Sequence, residues 1–450
     1  MTDNSTRRDF LKTGVSLAGA ATAITIVPRH VLGGRQNVPP SEKVNIAGIG
    51  IGGMGGANLA NLQGENIIAL CDVDHDYAAN TIRQHPGAKT YKDYRLMLEK
   101  QKDIDGVVIA TPDHTHAMIA MAAIKAGKHV YCQKPLTHTV YEARKLAEAA
   151  KEHKVATQMG IQGHSMEGHR LICEWVSAGL VGEVREVDAW CSLSYYPWGH
   201  ASWSSSWSDR PKETPPIPAS LDWDLWIGPA AMRPYHRAYH PQTWRCFWDF
   251  GCGMMGDRGA HTLDAVVAAL KLGPPTSAEA TSCGNTPEVH PLSAIVTFQF
   301  PARQGLLPLK LTWYEGTRPP RPDDLENGRR VPEEGGIFIK GSQGTIMAGV
   351  YGEGARIIPE RRMQEVKLPP KTLPRVKGTH EQNWVQACKT GAAAGADFAY
   401  SGPLTETCLL GNIAKRIDSR IVWDADNLKI TNLPDANQWV HTEYRQGWEL

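Results

Sequence analysis

The segment Gly251–Asp264, GCGMMGDRGAHTLD, sets Asp257 and His261 four residues apart behind a run of glycines. Residues three and four apart share one face of a helix, so a helix starting at Asp257 would stand Asp257, His261 and Asp264 together. Such a face can ligate a metal, relay a proton, or simply begin a helix. An Asp-x-x-x-His pair supplies two ligands, even with Cys252 nearby, whereas a catalytic zinc takes three from the protein. No metal is therefore expected, and which chemistry this face serves has to come from the rest of the chain. A second reactive group, Lys134, stands in HVYCQKPL, just after an apolar run and just before a proline. A lysine there can reach a substrate hydroxyl from the rim of a buried strand.

These groups need a scaffold, and the stretch from Lys43, KVNIAGIGIGGMGGANLANL, supplies its first unit: an apolar strand, a glycine-rich turn, then a helix. Gly50, Gly52 and Gly55 form G-x-G-x-x-G, with Gly48, Gly50 and Gly53 as a second possible register. The glycines serve a tight turn, close approach of the backbone to a pyrophosphate, and close packing of helix on strand. Ile51, Gly53 and Met54 belong to the same turn and are expected at the cofactor, where the helix N-terminus offers unpaired N–H groups. A second apolar run ends at Asp72, 17 residues beyond Gly55. A carboxylate there accepts hydrogen bonds from an adenosine ribose and repels a 2′-phosphate, so NAD is expected over NADP. Two further strand–loop–helix units follow. They place Thr111, Pro112, Asp113 and His116 on one rim loop and Gln133 and Lys134 on another.

Taken in order, the glycine fingerprint, CDVD, ATPDHTHA, GKHVYCQKPL and GDRGAHTLD resemble the Gfo/Idh/MocA family of oxidoreductases. The resemblance covers nearly the whole chain after the N-terminal segment. It implies an α/β protein: an N-terminal Rossmann domain, here residues 34–160, and an α/β domain with an open, mainly antiparallel sheet, here 161–450. It also implies a tightly held NAD(P), sugar or polyol substrates, and a homo-oligomer, dimer or tetramer. Carried over position by position, it assigns catalysis to Lys134, Asp257 and His261. One departure stands out: Gln133 occupies the place where the family most often has glutamate.

In the second half, VATQMGIQGHS brings Gln162 and His164 toward the crevice, and Ser165 is placed to cap the helix that follows. Runs of strand type then succeed one another with few helices between them, and Gly341–Gly344 reads as a hairpin turn. From Trp190 to Trp248 lie eight of the fourteen tryptophans, within a long excursion rich in Pro, Tyr, Arg and His. Aromatic faces stack on the C–H faces of sugar rings, so this stretch is expected to wall a carbohydrate site, with Trp244, Arg245 and Trp248 as contacts.

The 450 residues carry a net charge of +1, which gives no reason to expect a nucleic-acid partner. STRRDFLKTG followed by VSLAGAATAITIV resembles a twin-arginine export signal within residues 1–33, and its apolar run is too short for a stable membrane anchor. A periplasmic or exported protein is expected. Nine scattered cysteines without a C-x-x-C pair argue against a disulfide framework or zinc module. The leading functional expectation is an NAD-dependent oxidoreductase acting on a secondary hydroxyl of a sugar, glycoside or related polyol. An NAD-dependent glycosidase working through a transient 3-keto sugar, and a non-catalytic sugar-binding protein, are the alternatives.

Overall fold

A computed structural model describes residues 42–195 and 207–450. The segment read as an export signal, together with Trp198 and Trp203, lies outside the described residues.

The first sheet has six parallel strands: β1 (Asn45–Ile49), β2 (Asn66–Cys71), β3 (Lys89–Tyr91), β4 (Gly106–Ile109), β5 (His129–Cys132) and β6 (Thr157–Met159). Their order is β3-β2-β1-β4-β5-β6. Helices on both faces explain why β4 reads GVVI and is buried at every position, since a covered parallel strand has no solvent side to make polar. The connections run in opposite directions from β1 and from β4, so a crevice opens beyond the carboxyl ends of these two strands. Of the helices in this half, three bear on the site: α1 (Met54–Ala60), α2 (Asp113–Lys125) and α3 (Val140–His153). Thr139 and Glu142 close a capping box at the start of α3.

The second sheet has nine strands: β7 (Val184–Cys191), β8 (Ser277–Cys283), β9 (Ser293–Phe300), β10 (Leu309–Glu315), β11 (Gly335–Gly341), β12 (Gly344–Gly349), β13 (Arg356–Ile358), β14 (Arg420–Asp424) and β15 (Lys429–Ile430). Their order is β13-β12-β11-β7-β10-β9-β8-β14-β15, and only the β7/β10 pair is parallel. In β9 the inward residues Ala294, Val296, Phe298 and Phe300 are buried and alternate with exposed Ile295 and Gln299, as a one-sided sheet requires.

Four more helices complete the frame: α4 (Glu167–Ser177), α5 (Ala260–Ala269), α6 (His380–Thr390) and α7 (Phe398–Ile417). The last two return to the first sheet. Phe398 N donates to Thr157 Oγ1 at 3.0 Å, Met159 N donates to Ala396 O at 2.8 Å, and Trp384 packs in the core with Val108 and Tyr131. Residues from the C-terminal part of the chain therefore pack against the strands that carry the rim on which Lys134 stands. Among the described residues no helix is long and apolar enough to cross a membrane.

Candidate active site

The glycine turn leaves β1 through Gly50, whose φ of 75° lies in the left-handed region that favours glycine. A Cβ on Gly55 would sit 2.2 Å from Gly50 O, so α1 packs directly on the turn and the working register is Gly50, Gly52 and Gly55. Asp72 follows β2. Its Oδ2 accepts N–H bonds from Ile51 at 2.8 Å and Gly52 at 3.1 Å, and its Oδ1 one from Asp74 at 3.0 Å. Burial raises its pKa, and the three amides work against that rise. The cleft beyond these strands is lined by Gly50, Gly52, Gly53, Met54, Asp72, Thr111, Pro112, Asp113, Gln133 and Lys134. A glycine turn that exposes backbone, with an acid at the end of the second strand, fits a dinucleotide. Three residues expected at the cofactor are not on the cleft lining. Ile51 spends its N–H on Asp72, Gly55 is the packing point, and the ring nitrogens of His116 lie 2.8 Å from Pro135 O and Thr111 O, bracing the two rim loops.

Lys134, Asp257 and His261 meet at the other end of this cleft. The Lys134 ammonium pairs with Asp257 Oδ1, the Tyr195 hydroxyl donates to Asp257 Oδ2, and Arg245 Nε lies 4.0 Å from the same oxygen. Burial alone would raise the Asp257 pKa, but Lys134, Arg245 and Tyr195 together hold it well below the ordinary carboxylate range. Burial, assisted by the Lys134 charge, lowers the His261 pKa to about 3, so its imidazole is neutral at physiological pH. The His261 ring meets Tyr351 edge-on at 4.8 Å, and its buried Nδ1 has no hydrogen-bond partner among the described residues. A buried polar atom left unpaired is costly, and a ligand hydroxyl would satisfy it. Asp113, also on the cleft wall, accepts the Cys252 N–H at 2.9 Å, and burial raises its pKa to about 7.

The segment Met255–Gly259 forms a π turn, and α5 follows from Ala260. The wider turn rotates later residues back relative to an α-helix. Asp257 and His261 share the cleft, while Asp264 leaves their face. Asp264 Oδ1 accepts from His164 Nδ1 at 2.8 Å and from the Tyr400 hydroxyl at 2.6 Å, and its Oδ2 lies 3.0 Å from His169 Nδ1. His164, expected at the substrate, therefore faces this buried cluster and not the cleft. The 3₁₀ turn Gln162–Ser165 points Gln162 one way and His164 the other. The ligand atoms of His164, His169 and Asp264 lie within 4.8 Å of one another, with His164 Nδ1 bonded to the carboxylate. Ser165 does not cap α4, which has Met166 at its N-cap; its hydroxyl bonds His380 Nδ1 at 2.6 Å.

The tryptophan-rich stretch divides in the same manner. Trp226 and Trp244 line the cleft, and Trp223 stacks behind Trp226 at 4.6 Å. Arg245 lines the cleft as well, its guanidinium 4.3 Å from the Trp244 ring centroid. Trp248 does not reach it: its indole donates to Thr286 O at 3.0 Å and packs on His290. Residues missed from sequence include Tyr195, Arg258 and Tyr351, all near Asp257 or His261. Tyr195 stands four residues beyond the end of β7, in the run SLSYY, and neither it nor Tyr351 carried a signal of its own.

Two domain families match the chain: an oxidoreductase family NAD-binding Rossmann fold over residues 43–161, and an oxidoreductase family C-terminal alpha/beta domain over residues 178–282. The chain is 33% identical over 147 residues to an inositol 2-dehydrogenase of Rubrobacter xylanophilus, covering 32% of this chain and 42% of that protein. It is 32% identical over 203 residues to a glycosyl hydrolase family 109 protein of Solibacter usitatus, covering 40% and 44%. The chain thus spans less than half the length of these curated relatives. In fold it matches the WlbA dehydrogenase of Bordetella pertussis, solved with NADH and UDP-GlcNAcA, with a TM-score of 0.60 at 16% identity over 85% of this chain and 100% of that one. The first domain is an NAD-binding Rossmann domain.

Proposed function

We propose, for a chain that carries the two domains of the Gfo/Idh/MocA oxidoreductase family, that it oxidises a secondary hydroxyl of a sugar, glycoside or related polyol with NAD. One observation carries this reading. The Lys134–Asp257 pair and a neutral His261 with an unpartnered Nδ1 stand on one wall of the same cleft that begins at the glycine turn.

Bound NAD supplies the hydride acceptor. The chain's own residues supply the rest. His261 accepts the hydroxyl proton, which a neutral imidazole can do and an imidazolium cannot. Lys134 donates a hydrogen bond to the same oxygen and stabilises the negative charge that grows on it. Asp257 holds Lys134 in place, and Tyr195 and Arg245 hold Asp257. Trp226 and Trp244 offer apolar faces to a ring, while Arg245 and Gln162 offer polar groups to its hydroxyls.

A second reading, redox-neutral glycoside cleavage, is favoured by the similarity to the glycosyl hydrolase family 109 protein. A ketone at C3 acidifies the C2 proton, the aglycone leaves by elimination, water adds, and the ketone is reduced again. The two are separated by incubating the purified protein with NAD and a panel of polyols and glycosides in D₂O. A stable keto product with accumulating NADH supports oxidation. Deuterium at C2 with aglycone release supports cleavage, and no change with any sugar overturns both. The N-terminal arginine pair and apolar run support export, and the family likeness supports a dimer or tetramer, as parts of the same proposal.

A further inference from the structure

Of two amides that line the cleft, Gln133 and Gln162, the first is backed by a buried carboxylate. Gln133 Nε2 lies 2.9 Å from Asn58 Oδ1, and Asn58 Nδ2 lies 2.7 Å from Glu381 Oε1. Gln162 Nε2 lies 3.5 Å from the Tyr131 hydroxyl, and no hydrogen bond joins that hydroxyl to Glu381 among the described residues. Asn58 and Glu381 are at most 1% exposed, so water does not complete the Gln133 chain from outside.

The direction of this chain follows from the donor inventory. A carboxylate only accepts. Asn58 must therefore give Glu381 its N–H and turn Oδ1 toward Gln133, and Gln133 must give Asn58 its N–H and leave Oε1 for the cleft. Glu381 sits in the first turn of α6, where the helix N-terminus favours a negative charge, and a capping box of Thr379 and Gln382 fixes that turn.

We infer that Glu381 is a positioning residue that fixes Gln133 as a hydrogen-bond acceptor, so that the cleft beside Lys134 selects ligands presenting N–H or O–H donors. A glutamate at position 133 would be an acceptor without help. With glutamine there, the negative charge sits two hydrogen bonds further back and acts through Asn58. The inference rests on the reading above only for which donor is bound, a carboxamide or a hydroxyl.

The chain can be reversed by design. In Gln133→Glu the new carboxylate faces Asn58 Oδ1, or Asn58 turns over and faces Glu381 with that oxygen, so one buried contact is acceptor against acceptor. In Glu381→Gln both directions are equally satisfied. In the double variant the carboxylate introduced at position 133 accepts from Asn58, Asn58 accepts from the amide introduced at position 381, and every partner is satisfied again. The full-length protein and the three variants are compared at about pH 8, where a carboxyl at position 133 is ionised, by urea unfolding and by NADH binding. Gln133→Glu should lower the unfolding midpoint and weaken NADH binding about tenfold. Glu381→Gln should leave the midpoint near the starting value and weaken binding about twofold, because half the molecules show the wrong end. The double variant should return both to near the starting values. Losses that simply add in the double variant, or a Gln133→Glu protein as stable and as tight as the original, overturn the inference. If the unaltered protein binds no NADH, the cofactor reading fails, and the unfolding cycle still decides the orientation.

Discussion

Replacing Asp257 by asparagine removes the charge around which Lys134, Tyr195 and Arg245 are arranged. The Asp257 side chain is 8% exposed and that of Lys134 15%, so the pair is largely shielded from water. Removing one partner of a buried pair costs about 3–5 kcal/mol, because the other charge stays behind without compensation. Arg245, 4.0 Å away, adds a gross attraction of about 4 kcal/mol at an effective dielectric constant of about 20, and its side chain is 23% exposed, so part of that is screened. Asparagine keeps the shape and can still accept from Tyr195. The expected loss in unfolding free energy for Asp257→Asn is therefore about 3 kcal/mol, near the lower end of the range. Urea denaturation at neutral pH measures it. Because the Asp257 pKa is depressed in the folded protein, its contribution is fully present above the unfolded value of about 4 and is lost as pH falls. The gap between the original protein and Asp257→Asn must therefore close on acidification. Combining Asp257→Asn with Lys134→Met should cost less than Asp257→Asn alone, since the lysine charge is then not stranded and asparagine still accepts from Tyr195. A variant within about 0.5 kcal/mol of the original, or a gap independent of pH, would refute the ion-pair argument.

The remaining expectations concern ligands and the base. Asp72→Ser frees two amides of the glycine turn and removes the charge that repels a 2′-phosphate, so NADH should bind about tenfold more weakly and the preference over NADPH should shrink, as a fluorescence titration would show. Trp244→Leu should raise KM for the best sugar several-fold, whereas Trp248→Leu, altered outside the cleft, should leave KM unchanged and show its effect in thermal unfolding. With the His261 pKa at about 3, kcat/KM should not fall through pH 6.5 on account of this histidine. An inflection there that disappears in His261→Ala would contradict the assignment.

Much of this arrangement was legible because it is local. The glycine fingerprint, the acid at the end of β2 and the loop carrying Lys134 each lie within a single strand–turn–helix unit, where sequence neighbours are also spatial neighbours. Asp257 and His261 could be paired for the same reason. What failed depended on rotation about a helix or on partners far along the chain. The face shared by Asp257, His261 and Asp264 assumed α geometry, and the π turn at Met255–Gly259 broke it. His164 looked like a ligand contact because its true partner, Asp264, lies one hundred residues away and was assigned to another face. Trp248 and Trp244 are four residues apart in one aromatic run, and only the 3₁₀ turn Thr243–Cys246 decides which of them reaches the cleft. The Gln133–Asn58–Glu381 chain joins three segments spread over 323 residues, and nothing in the type of any one residue announces it.

The central claim, that His261 takes the proton in a hydride-transfer cleft, is tested most directly by single-turnover formation of NADH from the best polyol or glycoside, in the original protein and in His261→Ala, with NADH affinity measured alongside. The rate should fall by about 10²- to 10⁴-fold while NADH affinity stays the same. An unchanged rate in His261→Ala would contradict it.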